Sequence, residues 1–148
     1  MFLSYLCDIS YFDKIKDNIL KDIYSNNTSR RFIAVDGSQL NLNKSLSKND
    51  FKLSKNKNYT TGLLSSLFDT KKKIPIDYYL SNGKITETEC LYKQLDKVNK
   101  NDVLIMDRGY YSEKLMETLH NKNINYIFRI KKSHVFLSNQ KDFITEIG

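Results

Sequence analysis

The sequence is poor in the residues that punctuate or staple a chain. Its 148 residues include one proline, five glycines, two cysteines and no tryptophan. Cys7 and Cys90 share no metal-ligand spacing and are too few for a disulfide framework, so each reads as a small buried apolar residue. So little proline and glycine leaves no flexible linker, and no internal repeat is present. The length fits one main domain with a sizeable core. No apolar run reaches transmembrane length. Residues 1–7 are apolar but short and lack a basic leader, which argues against a signal peptide. A soluble, intracellular protein without a membrane partner is the expectation. The only histidines, His120 and His134, have no partner at ligand spacing and read as surface residues.

Positive charge, by contrast, is abundant. Lys and Arg number 24 against 17 Asp and Glu, a formal charge of +7. Eight lysines, Lys44, Lys48, Lys52, Lys55, Lys57, Lys71, Lys72 and Lys73, face only Asp50 and Asp69 in their span. Solubility does not require so uneven a balance, and nucleic acid is the commonest polyanionic partner. A solvated lysine-rich loop is the plainer alternative. Ten Tyr and eight Phe exclude a largely disordered chain.

Two stretches organise the rest. Val103-Leu104-Ile105-Met106 is a continuous apolar run that reads as a buried strand, and it is followed by Asp107-Arg108-Gly109. Phe32-Ile33-Ala34-Val35 has the same character and is followed by Asp36-Gly37-Ser38. Gly109 offers a sharp exit, and Ser112 can cap a helix over residues 113–121 whose apolar face is Leu115, Met116 and Leu119. Before these, Ser10 can cap a helix to residue 24 with Ile15, Ile19 and Ile23 on one face. The first strand covers residues 31–35, and residues 39–42 can continue it. Residues 45–58 read as an irregular lysine-rich loop. Residues 59–68 and 74–80 form a hairpin about a turn at residues 69–72, with Pro75 marking a sheet edge. Thr86 and Glu89 fit a capping box that opens a helix carrying Leu91, Leu95 and Val98. Residues 124–130 alternate as a last strand, with Ile124, Tyr126, Phe128 and Ile130 on one side. A β-hairpin meander followed by αβαβ predicts a mixed α/β sheet.

Two aspartates at neighbouring strand ends are a site for divalent metal in the crevice where open α/β sheets gather their chemistry. Alone, each Asp reads first as a turn or cap residue; two such strand ends in this topology weigh the two readings about equally.

Asp36-Gly37-Ser38 after a buried strand, Asp107-Arg108-Gly109-Tyr110-Tyr111-Ser112, and Tyr126-Ile127-Phe128-Arg129-Ile130-Lys131 together resemble the catalytic domain of IS4-type DDE transposases, over about residues 31–132. The Asp-Arg-Gly-Tyr-x-Ser segment is the specific part. The resemblance implies a ribonuclease-H-like fold and DNA cleavage and strand transfer in DNA transposition. It makes Asp36 and Asp107 the first two acids of a triad holding two Mg²⁺ or Mn²⁺ ions. Double-stranded DNA at transposon ends is the implied partner, with a homodimer in the complete protein and a cytoplasmic, nucleoid-associated location. The family's third acid is a Glu in a Tyr-x-x-Arg-x-x-x-Glu-x-x-x-x-x-x-Lys pattern, which does not occur here. Glu146 is the only acid near that place and lacks the flanking Tyr and Arg. The chain therefore reads as residues 1–30, an amino-terminal helical segment, followed by residues 31–148, a partial catalytic domain truncated before its last catalytic helix. Alone it is expected to be inactive in Mg²⁺. A non-catalytic DNA-binding remnant and another ribonuclease-H-like nuclease are the alternatives.

The DNA-binding candidates are Lys52, Lys55, Lys57, Lys71, Lys72, Arg108, Arg129 and Lys131. Each has a plainer reading as a solvated charge, and Arg108 also as the ion-pair partner of Asp107. Tyr110 and Tyr111 can stack on a base or pack in the core. Glu89 reads first as a helix cap.

Overall fold

The structure is a computed structural model and describes residues 9–25, 29–55 and 58–129. Cys7, Lys57, Ile130, Lys131, His134 and Glu146 lie outside the described residues.

The chain begins with α1 (Ile9–Tyr24), β1 (Phe32–Leu42), a 3₁₀ turn (Lys44–Asn49) and β2 (Lys52–Leu53). β3 (Thr60–Asp69) and β4 (Ile74–Ser81) follow, then α2 (Glu87–Gln94), β5 (Val103–Met106), α3 (Glu113–Asn121) and β6 (Asn125–Phe128). The six strands make one mixed sheet in the order β2-β3-β1-β5-β6, with β4 also paired to β3. β1 is antiparallel to β3 and parallel to β5, and β5 is parallel to β6. The expected mixed α/β sheet is present, and β1 lies between the hairpin and β5.

Alternation sorts the sheet's two faces. Ile33, Val35, Leu67, Ile76, Leu104 and Met106 are buried together with Leu91 of α2 and Leu115 and Leu119 of α3. The alternate positions Phe32 and Ile127 are 40 and 52 % exposed, and past the bulge at Ile76 of β4 Tyr78 and Leu80 turn outward, each 44 % exposed. Both helices begin with the caps their sequences call for. Thr86 Oγ1 accepts from the Glu89 amide while the Glu89 carboxylate accepts from the Thr86 amide, completing the capping box. Ser112 Oγ accepts from the Leu115 amide. Pro75 sits on β4, which has a partner on one side only, beside a register shift at Leu67/Phe68.

The structure departs from the sequence reading in three places. β1 runs unbroken to Leu42, so Asp36 lies within a strand rather than at its end; β3 holds the extension from Gly37 onward. The lysine-rich loop contains ordered pieces, because distant groups tie it down: Lys52 N donates to Asn82 O at 3.0 Å, and Asp50 pairs with Lys84. On α1, Ile15 and Ile19 stay 39 and 52 % exposed. The helix is fastened instead by polar groups. Lys16 Nζ donates to Asp77 Oδ1 at 2.7 Å, Tyr24 Oη to Asp69 Oδ2 at 2.6 Å, and Lys72 Nζ to Ile23 O at 3.2 Å. Asp77 also accepts from Gln94 Nε2, which leads a buried polar chain to Ser65. No helix among the described residues is long and apolar enough to cross a membrane.

Candidate active site and basic groove

The parallel ladder brings the two aspartates together. Val35 pairs with Met106, and Met106 with Phe128, as the last matched positions of three neighbouring parallel strands. The next residues are Asp36, Asp107 and Arg129. Adjacent strands lie about 4.8 Å apart, so these three side chains start from neighbouring backbones at one rim of the sheet. Arg129 N donates to Met106 O at 3.0 Å, which keeps its backbone in step with β5. Asp36, Asp107, Arg108 and Arg129 are all exposed.

Local chemistry shapes the exit from β5. Asp107 is extended, and its Oδ1 accepts from the Arg108 amide at 2.7 Å, capping a 3₁₀ turn of Arg108–Tyr110. The turn does not draw on a left-handed glycine: Gly109 has no positive φ, and a Cβ there would meet nothing within 4 Å. Arg108 makes no salt bridge among the described residues, so its reading as the ion-pair partner of Asp107 is not borne out there. Tyr110 is 2 % exposed and belongs to the core, which removes it as a base-stacking surface. Tyr111 meets the Phe128 ring edge-on at 5.7 Å.

One acid near the rim was not singled out in the sequence. Glu87, the first residue of α2, is half-buried, and its side chain fills the space a Cβ on Gly37 would need. That Cβ would stand 2.6 Å from Glu87 Cγ and 2.9 Å from Oε1. The Tyr110 hydroxyl is buried without a well-formed hydrogen bond. Burial pushes its pKa up, and the negative charges of Glu87 and Asp36 push it further. An acid in the first helical turn is ordinary, so only the Gly37 contact distinguishes Glu87. Glu89, by contrast, is fully engaged in its cap, whose hydrogen bonds from Thr86 hold its carboxyl below the usual range.

The donors at the rim are carboxylate oxygens, which suit a hard divalent cation. Among the described residues no three His, Cys, Asp or Glu side chains already stand together so as to hold one ion.

The lysine candidates divide. Lys52 and Lys55 are exposed and line a shallow groove of about 360 Å³ with Gln39, Leu53, Ser54, Tyr59 and Thr61. Gln39 lies three residues beyond Asp36 on β1, so this basic groove flanks the carboxylate rim. Lys71 is exposed, with its amide bonded to Asp69. The Lys72 ammonium is committed to α1: besides donating to Ile23 O, it lies over the Tyr24 ring at 5.1 Å from the centroid.

Comparisons with known proteins agree with this architecture. A solved structure titled as a cryo-EM structure of a piggyBac transposase synaptic complex with hairpin DNA superposes with a TM-score of 0.50 at 14 % identity. The match covers 89 % of this chain and 30 % of that one, so this chain spans under a third of its length. The likeness is one of fold, a ribonuclease-H-like mixed sheet. No curated protein matches in sequence. The Transposase DDE domain family matches residues 27–146, and the chain belongs to that family.

Proposed function

We propose that this chain is an amino-proximal part of an IS4-type DNA transposase catalytic domain, acting on double-stranded DNA. The observation that carries the reading is the β1–β5 register, which sets Asp36 beside Asp107. Asp36 and Asp107 would hold Mg²⁺ or Mn²⁺ through their carboxylates, and the bound metal supplies activation of the attacking hydroxyl and stabilisation of the leaving oxygen. The carboxylates' own task is to fix that position relative to the scissile phosphate. Arg108 and Arg129 border the rim as exposed cations suited to phosphate. Lys52 and Lys55 would draw the DNA backbone along the groove, with Lys57, Lys71 and Lys131 as further contacts. On this reading residues 1–30 are an amino-terminal helical segment and residues 31–148 the partial catalytic domain. A homodimer on paired DNA ends and a nucleoid-associated location extend the same reading.

Cleavage of an end-labelled duplex tests it. The chain is assayed alone and together with a downstream transposase segment bearing the third-acid helix. Cutting is expected in the combined reaction, with at most a trace of nicking in Mn²⁺ by the chain alone. Both Asp36→Asn and Asp107→Asn are expected to abolish it. Cutting that survives either substitution overturns the assignment. DNA binding is tested separately through its salt dependence. Replacing Lys52, Lys55 and Lys57 by Ala is expected to lower the slope of log K against log salt by about two to three units. An unchanged slope removes the groove from the DNA path.

A further inference from the structure

We infer that Glu87 is a third carboxylate of the Asp36–Asp107 site, held over Gly37 on the first turn of α2 and available to a divalent cation bound at the rim. The inference rests on the metal-site reading of the two aspartates and adds a ligand from a helix on the near side of β5.

Three observations meet at this point. Gly37 follows Asp36 directly, and its missing side chain makes room for the Glu87 carboxyl group; any Cβ there would collide with Glu87 Cγ at 2.6 Å. The capping box fixes the helix end that carries Glu87, so its backbone is held in place while the side chain keeps its rotatable bonds. The Tyr110 hydroxyl, on a residue only 2 % exposed, stays without a formed hydrogen bond beside this carboxylate. A buried polar group left without a partner is costly and marks a place where a further group or a water belongs. Helix capping alone would explain Glu87 as a surface acid, but it would not explain the cleared space over Gly37 or the orphaned hydroxyl. Two carboxylates hold a divalent ion poorly, because Mg²⁺ and Mn²⁺ require several oxygen ligands. A third carboxylate, brought to the rim by rotation of the Glu87 side chain, changes that balance.

The test is calorimetric titration of the whole chain with Mn²⁺, with thermal unfolding as the check on folding. Wild type is expected to bind. Glu87→Gln is expected to weaken binding about tenfold or more, at an unchanged unfolding midpoint. Gly37→Ala is an independent second variant: it leaves every carboxylate in the sequence but displaces Glu87, and it too is expected to weaken binding. Glu89→Gln preserves the cap and is expected to bind as wild type. Asp36→Asn and Asp107→Asn are expected to lose binding. If Glu87→Gln and Gly37→Ala bind like wild type while the Asp variants fail, the Glu87 inference is overturned and the two-aspartate reading stands. If the Asp variants also bind like wild type, both fall. A wild-type chain that takes up no Mn²⁺ at millimolar concentration overturns the inference as well, and the cleavage assay then decides the reading.

Discussion

The two ends of the parallel strands carry similar residues in opposite conditions. At the amino ends of β1 and β5, Arg31 and Asp102 form a two-pronged pair, with Nε to Oδ1 at 2.9 Å and Nη2 to Oδ2 at 2.5 Å. Asp102 is 2 % exposed, and its carboxylate also accepts from the Asn99 amide. The hydrogen bond to Asp102 is the main reason the Arg31 guanidinium pKa is raised. Nearby, Asp69 is buried, which alone would raise its pKa. The Tyr24 hydroxyl and the Lys72 and Lys71 amides outweigh that and hold it below the usual carboxylate range. At the carboxyl ends, Asp36, Asp107, Arg108 and Arg129 are exposed, and none has a side-chain ion pair among the described residues. The first end spends its charges on holding strands and α1 together; the second keeps them open to solvent. The difference teaches that charge type does not locate a site. Partnering does.

The comparison can be broken at several points, from large effects to small. Arg31→Ala leaves a buried carboxylate unpaired and is expected to cost about 3 kcal/mol or more in chemical denaturation. A loss under about 1 kcal/mol would mean that the amino end is not pinned by this pair. Acid is expected to act at the same end. A carboxylate whose folded pKa is depressed contributes stability that is present above its ordinary pKa near 4 and is lost as pH falls through the folded value. Asp69 therefore predicts that stability falls as the pH drops below its ordinary pKa and through its depressed folded value, and Asp69→Asn is expected to remove that component. Identical pH profiles for the two proteins would refute the assignment. The carboxyl end should scarcely notice such changes. Asp36→Asn and Asp107→Asn alter exposed groups, and Asn caps a turn as well as Asp, so each is expected within about 0.5 kcal/mol of wild type. A loss of several kcal/mol in either would make the rim structural.

Much of this was legible in the residues. The apolar runs before Asp36 and Asp107 identify the central parallel pair, because strands buried in a sheet's middle need continuous hydrophobicity. Pro75 marks the edge, and Thr86, Glu89 and Ser112 mark helix starts through local hydrogen bonds. What escaped depends on contacts between distant segments. The extension of β1 through Gly37 and Ser38 is polar and gains its order from β3. The Lys52–Leu53 strand pairs with Thr60 and Thr61 of β3 and is tied further by the Lys52 amide to Asn82 O, thirty residues on. Glu87 looks like any first-turn acid until Gly37 is seen beneath it. The isoleucine stripe of α1 suggested an apolar seam, whereas Lys16 and Tyr24 make the attachment. Lys72, read as a DNA contact, is drawn into that same attachment by the Tyr24 ring and Ile23 O.

The parallel register also governs when the rim can come into being during folding. β1 and β3 are joined by an antiparallel pairing whose nearest matched residues are close in the chain, from Leu42 opposite Thr60 outward. β1 and β5 meet only after the hairpin and α2 have been looped out between them, since Phe32 is matched with Val103. Loop-closure entropy must be overcome before such a distant pairing returns any contact energy, which makes parallel pairing slow. The antiparallel half of the sheet can thus assemble while Asp36 and Asp107 are still apart. On the proposed reading, a nascent or partly unfolded chain would expose its lysine-rich groove before it had a carboxylate pair, so that affinity for a polyanion would precede any capacity for chemistry.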